Sequence, residues 1–261
     1  MLKKRISIVL FFSLLVLLCT GAGNKAVNEV NAPQKCPILL YHHLTDSIPE
    51  DFDNTTSVKK FESDMKRILE AGYQPISLAE MYGCLSSGTA LPEKSVVITF
   101  DDGYESNYTL AFPVLKQYGI KADIFMNNDL AGQTSSNGLP HFSWDQAREM
   151  EQSGLVTIYS HGYTHHDFTS ISLEQLAEEY TASREEIERE LGKRTYNMVA
   201  YVGGEFDSKT FETLKQAGAD VQLLVAYRMD YSSIWDYSFF SRMTVYYTSD
   251  VVEMLDEYAA N

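Results

Sequence analysis

The sequence predicts an α/β fold in which about seven parallel strands alternate with helices. Three observations support this prediction: short, nearly continuous apolar runs recur along the chain, helix-like segments separate them, and many of those segments begin at Ser or Asp and end at Gly. Continuous apolar runs are typical of strands buried on both faces, and repeated strand–helix–strand units imply parallel pairing through crossover helices. The pattern leaves open whether the sheet closes into a barrel.

The predicted strands follow one another from residue 38 to residue 247. They are residues 38–41, 96–100, 122–126, 155–159, 198–201, 221–226 and 243–247. Predicted helices lie between them at residues 58–71, 78–85, 106–118, 143–153, 172–191 and 206–218. In barrels and in open sheets of this class, ligands bind at the carboxyl ends of the strands, so the functional residues are expected there.

The first 22 residues have the pattern of a signal peptide. Lys3, Lys4 and Arg5 form a basic start, an apolar stretch covers residues 6–18, and small residues follow. The apolar stretch is short for a membrane-spanning helix, so an uncleaved anchor is the second interpretation. We therefore expect a secreted or cell-surface protein of a bacterial envelope, associated with a membrane only through residues 1–22, with a linker at residues 23–35 and one folded domain at residues 36–261.

The charge of the chain argues against some classes of partner. The net charge is −15, and residues 1–22 carry three basic residues and no acidic ones, so their removal would bring it to −18. Such an acidic surface disfavours nucleic acid and other anionic polymers, whose binding needs Lys and Arg, and a neutral or cationic substrate fits better. In an exported protein Cys36 and Cys84 could pair, but free thiols are favoured, since their sequence positions do not bring them together.

Carboxylates and histidines follow two of the predicted strands. Asp101, Asp102 and Gly103 end the second strand, and the glycine would let the backbone turn so that both carboxylates reach one cavity. His161 and His165 follow the fourth strand. Two histidines and one carboxylate form an established catalytic zinc set with a position open for water. A turn or capping role for the aspartates, and replacement of His165 by the histidine that follows it, remain open at this point.

Four segments resemble those of polysaccharide deacetylases, the group with a NodB-homology domain that is also called carbohydrate esterase family 4. They are residues 38–43, 99–104, 111–116 and 160–165, and residues 142–145 and Gly154 also match. The resemblance covers roughly residues 36–247, and the paired aspartate and histidine motifs make it specific. It is closest to the poly-N-acetylglucosamine deacetylases of exopolysaccharides. It implies a distorted (β/α) barrel of about seven parallel strands with a divalent metal, most commonly zinc.

The resemblance also implies roles for individual residues. Asp102, His161 and His165 would bind the metal. Asp101 would be the general base, and the backbone N–H of Gly203 would stabilise the oxyanion.

Two departures from the family pattern affect the other assignments. The third motif of the family usually carries Arg and Pro, whereas residues 201–204 carry neither. Arg242 is therefore a candidate to supply a guanidinium to Asp101, with a purely structural arginine as the alternative. The C-terminal histidine of many members is also absent, because His166 is the last histidine of the chain. The resembling subgroup places this histidine on the first strand, which makes His42 the candidate general acid.

The partner that the resemblance implies is an acetylated polysaccharide. Tyr104 and Tyr201 are candidates to contact its sugar rings, although aromatic residues at strand ends more often belong to the core. Gly162 stands where the family usually has Ser or Thr between the two histidines.

The predicted function is a secreted, metal-dependent hydrolase that removes N-acetyl groups from an N-acetylglucosamine polymer or peptidoglycan. The alternatives are an O-acetyl esterase acting on xylan or peptidoglycan, and a catalytically weak descendant that binds glycan.

Overall fold

Seven strands close into a parallel barrel in the computed structural model, which describes residues 35–48, 54–225 and 237–260. In order around the ring they are β1 (Ile38–Tyr41), β5 (Ser95–Phe100), β6 (Ala122–Met126), β7 (Val156–Ser160), β8 (Met198–Ala200), β9 (Val221–Val225) and β10 (Phe239–Thr244). Strand β1 pairs with both β5 and β10, and this double pairing completes the ring. The α/β barrel implied by the resemblance is thus confirmed. The pairing between β7 and β8 is short, with the single register pair Ser160 and Val199.

Helices surround the strands, and three shorter strands lie beside the ring. The helices are α1 (Val58–Glu70), α2 (Leu78–Ser87), α3 (Phe112–Tyr118), α4 (Trp144–Gln152), α5 (Leu173–Leu191), α6 (Ser208–Gln216) and α7 (Val251–Ala260). The shorter strands are β2 (His43–Thr45), β3 (Thr55–Ser57) and β4 (Gln74–Pro75). The predicted capping is present: the side chains at the start of α1, α2, α4, α5 and α6 accept backbone N–H groups of the first turn. No helix among the described residues is both long and apolar enough to cross a bilayer.

The largest differences from the predicted elements occur in the last part of the chain. The last barrel strand begins at Phe239, not at residue 243, because residues from Phe239 to Arg242 pair with β9. Ser241 and Arg242 interrupt the apolar pattern there and concealed the strand. Helix α7 was not predicted at all. The predicted signal peptide, most of the linker at residues 23–35, and residue 226 of the sixth predicted strand lie outside the described residues.

Three clusters of buried apolar side chains pack against the barrel strands. One apolar cluster joins strand residues, among them Val97, Phe125 and Leu223, to Leu78 and Met81 of α2. Two further clusters pack the other strand faces against the surrounding helices. Complete burial of each large apolar side chain stabilises the fold by about 1.5–3 kcal/mol, so this shell can support a polar site at the carboxyl ends of the strands. The cysteines at positions 36 and 84 are free thiols, as favoured from the sequence.

Candidate metal centre

Asp102, His161 and His165 form a cluster at the carboxyl ends of β5 and β7. One ligand atom from each lies within 4.8 Å of the other two. Oδ1 of Asp102 is 3.2 Å from Nε2 of His165 and 3.5 Å from Nε2 of His161. The structure therefore brings together the three residues that were predicted as metal ligands.

His161 has the protonation and orientation that a metal ligand needs. Its Nδ1 lies 3.0 Å from the carbonyl oxygen of Ala200, and donation of the Nδ1 proton in this contact leaves the lone pair of Nε2 directed at Asp102. The backbone is fixed as well, because Nδ2 of Asn127 donates to the His161 carbonyl at 2.7 Å. Burial lowers the pKa of His161, which keeps the ring neutral at neutral pH. One carboxylate with two imidazoles, one of them preset in this way, fits a divalent ion such as zinc.

Asp102 and His165 stabilise each other's charge when no metal is bound. Burial alone would raise the pKa of Asp102, but the hydrogen bond with His165 and the proximity of His161 hold it well below its usual range. The same hydrogen bond raises the pKa of His165. A metal binds the neutral imidazole ring, so the metal and a proton compete for Nε2 of His165.

Two of the three candidate ligands have an unusual backbone conformation. Asp102 has a φ of +71° and His165 a φ of +60°, a left-handed region that residues other than glycine seldom adopt. Gly103 and Gly162 have φ values of +76° and +83°, and a Cβ at Gly162 would lie only 3.1 Å from the Phe168 ring. Strained residues of this kind persist only where the surroundings hold them, and they concentrate at functional sites.

Asp101 lies beside the cluster, with Oδ2 3.9 Å from Nε2 of His161, and its carboxylate is paired with Arg242. Two guanidinium nitrogens of Arg242 donate to the two carboxylate oxygens of Asp101, each at 2.6 Å, and both side chains are buried. The guanidinium carbon lies 5.2 Å from the centre of the Phe125 ring inside the barrel. Burial alone would raise the pKa of Asp101, but Arg242, and after it His161 and His42, lower the pKa below its usual value. The predicted contact between Arg242 and Asp101 is thus present, and it keeps the carboxylate ionised.

His42 lies beside the aspartates, at the carboxyl end of β1. The N–H of Asp101 donates to the carbonyl of Tyr41 at 3.1 Å, which extends the pairing of β1 and β5 up to the site. Nδ2 of Asn107 donates to the carbonyl of His42 at 2.8 Å. Asn107 belongs to a π-helical turn, Asn107–Ala111, that leads into α3. Such turns are frequent at functional sites, and the sequence pattern of an ordinary helix did not reveal this one.

A group of rings flanks the cluster on the Asp102 side. Tyr104 lies between two imidazoles: the ring centre of His43 is 5.3 Å away and that of His141 is 4.9 Å away. Burial, and after it the charge of Asp102, raises the pKa of Tyr104, whose hydroxyl therefore stays protonated beside the site. Nδ1 of His43 lies 2.9 Å from Oγ of Ser106, which makes His43 a structural partner. His141 was not identified from the sequence because it follows no predicted strand; a non-local β-bridge brings it to Tyr104.

Tyr201 is buried in the core, whereas Gly203 is exposed. The Tyr201 side chain is fully buried, its hydroxyl donates to Oε1 of Gln222 at 2.5 Å, and its ring packs near Phe168 and Phe239. The structure therefore places this side chain in the core and not at the site, which corrects the prediction that it contacts a sugar. Gly203 is exposed after β8 with a φ of +65°, and its role as oxyanion donor stays a prediction.

The chain is similar to known proteins along most of its length. Residues 88–222 match the family model described as polysaccharide deacetylase. A Bacillus subtilis protein named as a polysaccharide deacetylase is 33% identical over 192 residues, which cover 73% of this chain and 64% of that protein. A Staphylococcus aureus poly-beta-1,6-N-acetyl-D-glucosamine N-deacetylase is 26% identical over 249 residues, which cover 83% of this chain and 84% of that protein.

Similarity to a solved structure supports the fold. A Streptococcus pyogenes deacetylase in complex with acetate has a TM-score of 0.77 and 23% sequence identity, over 86% of this chain and 98% of its own. At this identity the likeness shows the fold alone, and it agrees with the closed barrel. This chain spans 64% of the length of the Bacillus subtilis relative, so the activity of that whole protein does not transfer directly.

Proposed function

The chain belongs to the polysaccharide deacetylase family, and on that premise we propose that it removes N-acetyl groups from an N-acetylglucosamine polysaccharide with the help of a divalent metal. The observation that carries this proposal is that two adjacent carboxylates have different partners. Asp102 lies with two histidines, whereas Asp101 is paired with Arg242. The name of the Staphylococcus aureus relative supports poly-β-1,6-N-acetylglucosamine as the polymer. The acidic chain also suits a polymer that gains positive charge as its amines are uncovered.

Asp102, His161 and His165 would hold the metal, and we propose zinc because this donor set suits it. The ion would polarise the acetyl carbonyl and lower the pKa of a water molecule. Both histidines would bind as neutral rings, so metal affinity is expected to rise with pH as His165 loses its proton.

The remaining residues would handle the protons and the developing charge. Asp101 would accept the proton of the attacking water, since Arg242 keeps it ionised and each carboxylate oxygen retains a second lone pair. His42 would donate a proton to the leaving amine nitrogen, which cannot depart without one. The backbone N–H of Gly203, an exposed residue, would donate to the oxyanion.

We also propose that the protein is exported and acts at the cell surface. The basic start, apolar stretch and small residues of residues 1–22 support this location, because an extracellular polymer requires an exported enzyme. Fractionation with N-terminal sequencing tests it: a start near residue 23 in the culture medium supports export with cleavage, and retention of residue 1 in the membrane fraction indicates the uncleaved anchor. Protein confined to the cytosol would contradict export.

Acetate release tests the proposed activity. The metal-stripped protein is reconstituted with zinc or cobalt and given β-1,6-linked N-acetylglucosamine oligomers, with acetylated xylan in parallel. We expect acetate from the N-acetyl substrate and a higher kcat/KM for it. Release from the xylan ester alone would indicate an esterase. Glycan binding without acetate release, with every metal tried, would indicate a catalytically weak descendant.

A further inference from the structure

A carboxylate from helix α5 holds the loop that joins the two histidine ligands. Oε2 of Glu179 accepts hydrogen bonds from the backbone N–H groups of Tyr163 and Thr164, each at 3.0 Å. Oε1 accepts a third hydrogen bond from the Thr164 hydroxyl at 2.8 Å. The sequence did not single out Glu179, because it is one of many acidic residues on α5.

The same loop is also held from its other side. The N–H of Asp129, in the turn that follows β6, donates to the carbonyl of Tyr163 at 3.1 Å. The N–H and the carbonyl of Tyr163 are therefore bound from two different elements, α5 and the β6 turn. This arrangement fixes the orientation of the backbone on both sides of Tyr163 between the ligands.

The two histidines depend on this loop to different degrees. The side chain of His161 is 3% exposed and is fixed by buried neighbours, whereas that of His165 is 45% exposed. His165 also has a left-handed φ, and Gly162, which contributes no side chain, stands where the family usually has Ser or Thr. The position of His165 therefore depends on contacts that hold the loop, and Glu179 makes three of them, two with backbone N–H groups and one with the Thr164 hydroxyl.

We propose that Glu179 is a positioning residue that sets His165 in place for metal binding. The inference rests on the proposed function only in taking Asp102, His161 and His165 as metal ligands. Hydrogen bonds to an ionised carboxylate are stronger than neutral ones, so the three bonds can stabilise a strained loop. Residues that orient metal ligands typically contribute 10–100-fold to metal affinity.

Zinc affinity of full-chain variants tests the proposal. The dissociation constant is measured by competition with a chromophoric chelator, and the thermal midpoint is measured on the metal-free protein. Glu179→Ala should weaken zinc binding by about 10–100-fold. Glu179→Gln should weaken it by only about 3–10-fold, because the amide oxygen still accepts both backbone N–H groups while the amide nitrogen cannot accept the Thr164 hydroxyl. Glu178→Ala is the matched control: this exposed neighbour on α5 should leave zinc affinity unchanged.

The possible results separate this proposal from the proposed function. If the wild type binds zinc and folded Glu179→Ala binds it within about twofold of the wild type, the positioning role is overturned and the metal site stands. If Glu179→Ala does not fold, Glu179→Gln decides, and an unchanged affinity overturns the role. If the wild type binds no divalent ion, the metal assignment fails and the inference fails with it.

Discussion

Asp101 and Asp123 are two fully buried aspartates on neighbouring strands, and their surroundings drive their pKa values in opposite directions. Asp101 follows the carboxyl end of β5 and accepts two hydrogen bonds from Arg242, and its pKa is lowered. Asp123 lies near the amino end of β6, and its Oδ2 accepts the backbone N–H of Leu78 at 2.8 Å. Its Oδ1 has no hydrogen-bond partner among the described residues. Burial raises the pKa of Asp123 to about 7.

The comparison teaches that burial alone favours a neutral carboxyl group near physiological pH. A carboxylate stays ionised in the same barrel only where a matched cation reaches it. Arg242 comes from β10, 141 residues away along the chain, and reaches the carboxyl end of β5. The charged carboxylate therefore occurs at the end of the barrel that carries the candidate metal ligands, where a base is useful.

Removal of the charge of Asp101 has the largest expected effect. Asp101→Asn should lower turnover by about 10²–10⁴-fold, because it removes the proposed general base, while metal content stays that of the wild type. Acetate release and elemental analysis measure the two quantities. Asp123→Asn is the matched control and should retain turnover. Loss of metal from Asp101→Asn would contradict the separate roles of Asp101 and Asp102.

Removal of Arg242 would leave Asp101, like Asp123, buried without a paired cation. Arg242→Met should lower the free energy of unfolding by about 3–5 kcal/mol at pH 7, because it leaves a buried charge unpaired. In the wild type, the lowered pKa of Asp101 contributes stability above the unfolded pKa, and this is lost as the pH falls through the folded pKa. In the variant, burial without a paired cation should raise the pKa of Asp101, as it raises that of Asp123, so the carboxyl group takes up a proton as the pH falls from 7 to 4 and the cost of the unpaired charge disappears. Denaturant unfolding should therefore show a smaller stability difference between the wild type and the variant at pH 4 than at pH 7. A loss below about 1 kcal/mol at pH 7 would show that the pair does not hold the charge.

Substitution of His42 tests the proposed acid separately from the proposed base Asp101. His42→Ala should lower turnover by about 10²-fold with metal retained, since the leaving amine loses its proton donor. His43→Ala should mainly lower stability, by about 1 kcal/mol, because His43 pairs with Ser106. Steady-state kinetics and thermal unfolding of both variants check this. Equal losses of turnover would count against His42 as the acid.

Asp123→Asn is expected to change stability alone and to leave turnover intact. The folded pKa of Asp123 is about 7 and lies above the unfolded value, so this group lowers stability progressively as the pH rises from about 4 to about 7. The asparagine variant lacks this dependence and should gain about 2 kcal/mol relative to the wild type over that range, allowing for relaxation around the carboxyl group. Denaturant unfolding across the range measures the difference. A constant difference between the two proteins would mean that Asp123 does not carry a raised pKa.

Local patterns predicted the alternating strands and helices and the positions of the candidate metal ligands, whereas the closed barrel was predicted only through the family resemblance. The aspartates and histidines directly follow apolar strands in the sequence. Their location at the carboxyl ends of the barrel strands could therefore be predicted. The contact between Asp101 and Arg242 joins distant strands and was predicted only through a missing family motif. The start of β10 was predicted wrongly because Ser241 and Arg242 are polar residues inside a strand.

Other parts of the site left no local signal. Two of the three hydrogen bonds between Glu179 and the histidine loop are to backbone N–H groups, which every residue type other than proline carries, so the sequence gives no sign of them. His141 reaches the site through a non-local bridge with Tyr104. The side chain of Tyr201 was predicted wrongly to face the site, because a residue at the end of a strand can face either the site or the core. In the core, its hydroxyl donates a hydrogen bond to Gln222.

A crystal structure of the full domain with zinc and an N-acetylglucosamine oligomer tests the central claim most directly. Anomalous scattering should place one ion within about 2.0–2.2 Å of Asp102, Nε2 of His161 and Nε2 of His165. Asp101 should remain paired with Arg242 and uncoordinated, with the acetyl group of the oligomer facing the ion. An ion bound by Asp101, or an anomalous peak elsewhere with these three residues unoccupied, would contradict the account.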